Sequence, residues 1–163
     1  MTMYVEIPGI KGEATEENHK DWIIIQSYSQ SVMRNIMVED LGSSKKGMGK
    51  AQWSAIDCVT ENSLASPKLM EAVAAGTVFN EVKIHFLRAD AAQGADAKPY
   101  MTYLLTDAMI ASFTTSGSTD MVPTESFSLM YTTIEVEYKA LDTKNKEKAK
   151  SAVKWDVGKA KAK

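Results

Sequence analysis

Cysteine, histidine and long apolar runs are scarce in this sequence, and each scarcity removes a class of function. The one cysteine, Cys58, has no intrachain partner for a disulfide and cannot build a multi-cysteine zinc site. The only histidines, His19 and His85, lie far apart and in no ligand-spaced motif. No apolar run approaches the ~18 residues needed for a membrane-spanning helix, and Trp22–Ile25 is typical of those present. The opening MTMYVEIPGI has no basic segment and no apolar stretch ending in a small-residue cleavage site. Export through the general secretory route is therefore not expected. A lone cysteine suits assembly in a reducing cytoplasm.

What is present is an ordinary globular composition in 163 residues, 44% hydrophobic and 25% charged, enough for one domain with a core. The net charge of −2 is unevenly spread. Nine of the 19 basic residues but only three of the 21 acidic ones lie from Lys139 onward, leaving ten and eighteen in the first 138. An acidic body with a basic tail, lacking a basic stripe interleaved with aromatics, argues against nucleic acid as a partner. The expected organisation is a β domain over residues 1–140 and a Lys-rich tail over 141–163 that forms no separate domain.

Period-two alternation marks the strands. Met3, Val5 and Ile7 share one face, with Tyr4 and Glu6 opposite. Val78, Val82, Ile84 and Phe86 oppose Glu81, Lys83 and His85. Trp22–Tyr28, apolar on both faces at its start, predicts a strand covered from both sides. Ala51–Thr60, Tyr100–Asp107 and Met109–Ser116 read as further strands. In Glu125–Lys139 the apolar residues sit first at odd positions (Phe127, Leu129, Tyr131) and then at even ones (Ile134, Val136, Tyr138). One register cannot bury both sets, which predicts a bulge or bend at Thr132–Thr133.

One helix is predicted, about Pro67–Ala75, with Ser66 as N-cap, Gly76 as the C-terminal stop, and Leu69, Met70, Val73 and Ala74 as its apolar stripe. The connecting loops are Gly9–Lys20, Leu41–Lys50, Arg88–Pro99 and Gly117–Thr124. In the tail the first half of Thr143–Lys163 is expected to be mobile or irregularly helical, with Trp155 as the anchor. The predicted fold is mainly β: a compact antiparallel barrel or sandwich with one short helix and a basic C-terminal tail.

No catalytic, cofactor-binding or metal constellation emerges. Gly42 to Gly47 has the spacing of a phosphate-binding loop, but Met48 stands where that loop needs Lys, and Ala51 follows Gly49-Lys50 where Ser or Thr is needed. Ser43 and Lys46 form an S-x-x-K without its companion motifs. Gly9-Ile10-Lys11-Gly12 reads as a tight turn after the first strand. His85 is expected on a polar face and Cys58 in the packing.

Distinctive segments are spread over nearly the whole chain: MYVEIPGIKGE followed by HKDWI at His19–Ile23, then Ser66-Pro67-Lys68-Leu69 with Gly76. Further on come Ser116-Gly117, Pro123 and ESFSL at Glu125–Leu129 with Ile134 and Tyr138, and finally Val153-Lys154-Trp155-Asp156-Val157. Together they resemble the Hcp (haemolysin-coregulated protein) family of type VI secretion systems. The resemblance implies a non-enzymatic tube subunit: six copies in a ring around a channel, rings stacked into a tube, and a contractile sheath and a spike as partners. It also implies small effector proteins held in the channel, and export from the cytoplasm of a Gram-negative bacterium to the medium or a target cell. Head-to-tail rings need heterologous contacts. The polar Leu41–Lys50 loop then becomes a candidate inter-subunit arm, through Ser43, Ser44, Lys45, Lys46, Met48 and Lys50. Two other readings stand beside it. One is a monomeric β-barrel carrier of a small ligand. The other is an enzyme using Asp120 and Glu125 as paired carboxylates.

Overall fold

The computed structural model describes residues 1–36, 49–88, 98–141 and 147–162. Strand β1 (Thr2–Glu6) ends in a turn in which Pro8 and Gly9 hold the two central positions and Ile10 N–H donates to Ile7 O at 3.0 Å. Gly9 has φ +83°, the conformation a type II turn demands of its third residue. Gly12 answers a different need. A Cβ there would lie 2.3 Å from the Trp22 carbonyl oxygen, so only glycine lets the two chain segments pass.

The predicted strand over Trp22–Tyr28 is two short strands, β2 (Ile23–Ile25) and β3 (Ser27–Ser29), separated at Gln26. Ile24 is exposed, so β2 is covered on one side only, contrary to the two-sided burial expected from its run of isoleucines. Ala51–Thr60 is likewise divided, into β5 (Ala51–Trp53) and β6 (Ile56–Glu61), and β4 (Val32–Arg34) pairs β5 as a separate two-stranded ribbon. Helix α1 covers Ser66–Ala75. Strands β7 (Val78–Leu87), β8 (Met101–Ser116), β9 (Thr124–Met130), β10 (Thr133–Leu141), β11 (Glu147–Asp156) and β12 (Lys161–Ala162) follow.

All pairings are antiparallel. One path runs β12-β11-β10-β8-β7-β1-β2, and a second leaves β8 through β9 and β6 to β3. Strand β8 is the shared spine. One of its edges holds β7, and the other holds first β10 and then β9. The hand-over falls where Asp107 takes φ +50° and the β9–β10 segment breaks at Tyr131–Thr132, as the odd-to-even switch of apolar positions predicts. Thr132 clasps this corner: its N–H and hydroxyl both donate to Thr106 O, at 3.1 and 3.0 Å. The two paths approach each other along residues 23–29, where Gln26 N–H donates to Val59 O at 2.8 Å. The result is a sheet curled around one core in which Val5, Ile56, Val82, Ile84, Phe86, Leu105, Leu129 and Ile134 are fully closed to solvent.

The helix meets its glycine stop but not its predicted cap. Gly76 is left-handed (φ +64°) and its N–H reaches Val73 O, while Thr77 N–H reaches Ala72 O. Ala65 holds the N-cap position and has no side-chain acceptor to offer; Ser66 falls one residue inside the helix, where its oxygen accepts from Ser63 N–H at 2.9 Å and its hydroxyl donates to Glu125 at 2.7 Å. The buried stripe is Leu69 and Ala72, with Val73 partly covered; Met70 and Ala74 face outward. The tail is also not what composition suggests. Residues 147–156 form a strand, paired with β10 from Asp156 back to Glu147. Lysines spaced two apart suit an exposed strand edge as well as they suit disorder.

Candidate functional site: a projecting ribbon and a buried histidine pair

The candidate arm residues Ser43, Ser44, Lys45, Lys46 and Met48 lie outside the described residues. Lys50 is described, exposed at the start of β5. What the structure does place is the root of that loop, the β4–β5 ribbon. Val32 and Met33, on opposite faces of β4, are 49 and 59% exposed, and Ile36 just beyond the strand is 47% exposed. The ribbon is not loosely hung. Ser54 N–H donates to Ser31 O and Ser31 N–H to Ser54 Oγ, both at 2.9 Å, and the Tyr131 hydroxyl donates to Ser54 O at 2.9 Å. Trp53 then stacks on Trp155 of β11, with ring centroids 6.2 Å apart and planes at 29°. The sequence-predicted anchor Trp155 therefore pins the tail against the root of the candidate arm.

The two histidines, far apart in sequence, meet. His19 sits in a short 3-10 turn (Glu17–His19) and is buried; its Nδ1 bonds the Glu16 carboxylate and its Nε2 lies 2.9 Å from His85 Nδ1. Tyr4 stacks on His19 at 4.8 Å, and Trp22 packs edge-on at 4.7 Å. Tyr4 and His85 are cross-strand partners in the β1–β7 ladder, so the face expected to be polar is covered by the 13–22 loop. Burial, helped by His19, Lys83 and Lys139, depresses the His85 pKa to about 4. Burial works to raise the Glu16 carboxyl, but hydrogen bonds from the His19 ring and the Asn18 backbone outweigh it and hold the group low. With both ring nitrogens of His19 engaged, none is left for a metal or a substrate. This cluster was invisible in the sequence because it depends on the register of β1 against β7.

The other candidates for chemistry are equally tied down. Cys58 is fully closed to solvent, and burial followed by the nearby Asp57 pushes its thiol up to about 12, far from a nucleophilic thiolate. Glu125 is buried and accepts from Asn62 Nδ2 at 2.8 Å as well as from Ser66, while Asp120 is exposed on the 117–123 loop. The two carboxylates of the enzyme reading thus do opposite things, one locked in structure and one free in solvent. Among the described residues no group of three or more His, Cys, Asp or Glu is placed to hold a metal ion. Grooves lined by Lys83, His85, Glu135 and Glu137, or by Glu13, Gln26 and Glu61, open to solvent and carry charged rims. Phe86, Phe127 and Leu105 occupy the space a barrel carrier would need for its ligand.

This curled antiparallel sheet with one flanking helix superposes on type VI secretion proteins already solved. A protein described as a type six secretion system protein superposes with TM-score 0.88 at 24% identity, covering 99% of each chain. Hcp1 from Salmonella typhimurium gives 0.79 at 21% identity, covering 99% of this chain and 98% of its own. A type VI secretion system effector from Yersinia pestis gives 0.73 at 22%, covering 95% and 99%. No curated protein matches the sequence. The family model for the type VI secretion system effector Hcp matches residues 4–138. The chain belongs to the Hcp family, whose members are secreted tube proteins of the type VI secretion system and form no known enzyme family. Among the described residues no helix is long and apolar enough to cross a membrane.

Proposed function

We propose that this chain is a structural subunit whose copies close into a six-membered ring, that the rings stack into the inner tube, and that the channel holds small effector proteins. The sheath and spike of the same system are its further partners, and it is exported to the medium or a target cell. The observation that carries this reading is the β4–β5 ribbon: an apolar, well-anchored projection with Val32, Met33 and Ile36 bared to solvent. An isolated monomer gains nothing from that exposure, whereas a neighbouring copy would bury it. The sequence joining β4 to β5 serves as the inter-subunit arm in this reading, through Ser43, Ser44, Lys45, Lys46, Met48 and Lys50. Residues 1–140 make the body, and 141–163 are its appendage.

Native mass spectrometry of the full chain, with negative-stain microscopy, tests the proposal. Six times 17.9 kDa and ring-shaped particles are expected. A monodisperse monomer at high concentration overturns it. Deleting residues 43–49 should leave the fold intact and weaken ring or stack formation; unchanged assembly removes the arm from the proposal.

A further inference from the structure

The loop over residues 13–22 lies on the face of the β1–β7 ladder that carries Tyr4 and His85, and little fastens it there. Its backbone bonds are its own. Gly12 N–H donates to Asp21 O at 2.8 Å, Asp21 N–H to Ala14 O at 2.9 Å, and Ala14 N–H to Trp22 O at 3.1 Å. Among the described residues, the one hydrogen bond from this loop to the sheet beneath joins His19 Nε2 to His85 Nδ1. The remaining hold is packing. Tyr4 stacks on His19, Trp22 leans over His85 with ring centroids 4.7 Å apart, and Ala14 clusters with Tyr4 and Leu87.

Proton count makes that single bond conditional. The Glu16 carboxylate accepts from His19 Nδ1, so that nitrogen keeps its hydrogen. When His19 Nε2 is bare it accepts from His85 Nδ1–H, and when it is protonated it donates to a bare His85 Nδ1. The pair therefore holds one added proton with its bond intact, while a second puts hydrogens on both facing nitrogens. Around the pair stand Glu16 on the loop, Tyr4 and Glu6 on β1, Lys83 and Glu81 on β7, and Glu135, Glu137 and Lys139 on β10. From β8 come only Thr102, Leu104 and a Tyr103 phenol that burial holds protonated. Lys83 engages Glu6 and Glu81, and Lys139, Lys150 and Lys154 engage Glu137 and Glu135. No free carboxylate is left beside His85 to hold a second charge.

We propose that the 13–22 loop is an acid-opened flap, latched by the His19–His85 bond and released from the β1–β7 face when both rings become charged. Release bares Tyr4 and Leu87 and joins them to the groove lined by Lys83, Thr102, Glu135 and Glu137. Closed, the site holds His85 to a pKa of about 4, first through burial and then through His19, Lys83 and Lys139. Open, the ring returns toward its ordinary 6.5 and binds the proton more readily. The opening equilibrium therefore rises as the pH falls below about 6.5 and levels off near pH 4.

Hydrogen exchange of the full chain, read by mass spectrometry of its peptides at about pH 7.5 and 4.5 and corrected for intrinsic exchange rates, tests the latch. Protection over residues 13–22 should fall at least about tenfold in acid, while peptides from β8 keep theirs. His85→Gln retains an amide that can bond His19 Nε2 but has no titrating group. Its loop protection should agree between the two pH values to within about twofold. Protection lost evenly from the loop and β8 is general acid unfolding and overturns the flap. An unchanged wild-type loop overturns it too, as does a His85→Gln loop that opens like the wild type. Should that variant fail to fold, the contrast between loop and β8 in the wild type still decides.

Discussion

His19 Nε2 and His85 Nδ1 share a hydrogen bond at 2.9 Å, closing a loop of 66 residues through a buried aromatic cluster. Only one proton fits between them, so the bond needs one of the two nitrogens to be bare.

The first prediction follows from the depressed His85 pKa, about 4 against an ordinary 6.5. Between those values the unfolded chain binds more protons at this site than the folded one, so this contribution to stability falls as the pH is lowered. It is fully present above about pH 6.5 and is lost on descending to about pH 4. Since His85 is partly open to solvent, the change should be on the order of 1–2 kcal/mol rather than the full single-site value. Urea unfolding at pH 7.5 and pH 4.5 measures it. His85→Gln should flatten this part of the pH dependence, and an unchanged slope would show that the pair does not couple to folding.

Glu125 ties the start of α1 to β9 through Ser66 and Asn62. Glu125→Ala leaves the buried Ser66 hydroxyl without its acceptor, while the exposed Asn62 amide can turn to water, and should cost about 1–2 kcal/mol. Glu125→Gln keeps an acceptor and should cost less than half of that. Asp120→Ala, at an exposed loop position, should stay within about 0.5 kcal/mol of wild type. Denaturant midpoints of the three variants rank them.

At Gly12 the Trp22 carbonyl leaves no room for a Cβ, and both clashing groups are backbone. Gly12→Ala should destabilise by more than about 2 kcal/mol. Gly9→Ala meets no neighbour but must adopt positive φ, at about 1 kcal/mol. Thermal melts showing the reverse order would contradict the close approach of the 12 and 22 segments.

Trp155→Ala removes the partner of Trp53 and should lower stability by about 2–3 kcal/mol, less than a fully buried tryptophan would. It should also shift the Trp53 emission toward the red as that ring gains solvent. Limited proteolysis should then cut the tail after Lys148 or Lys150 faster than in the wild type, because β11 loses its anchor at one end.

Much of this was readable before any coordinates. The odd-to-even switch at Thr132–Thr133 locates the sheet corner, since alternation leaves one register no other way to bury both Phe127 and Ile134. Gly9 and Gly76 mark positive-φ positions that few other residues tolerate. Ser66 does not cap the helix as its place before a proline predicts, because the helix begins one residue earlier and the serine oxygen accepts from Ser63 N–H. The strand identity of 147–156 was hidden by lysines, which report solvent exposure and not backbone state.

Local pattern, acting over a few residues, settled the principal strands of the body, several of its turns, and that no spaced ligand or nucleophile motif exists along the sequence. Pairing across long stretches of sequence decided the rest: the meeting of His19 with His85, the bonding of buried Glu125 to Asn62 and Ser66, and the stacking of Trp53 on Trp155. Such contacts depend on strand register, which is a property of the whole sheet and has no signature in any one segment.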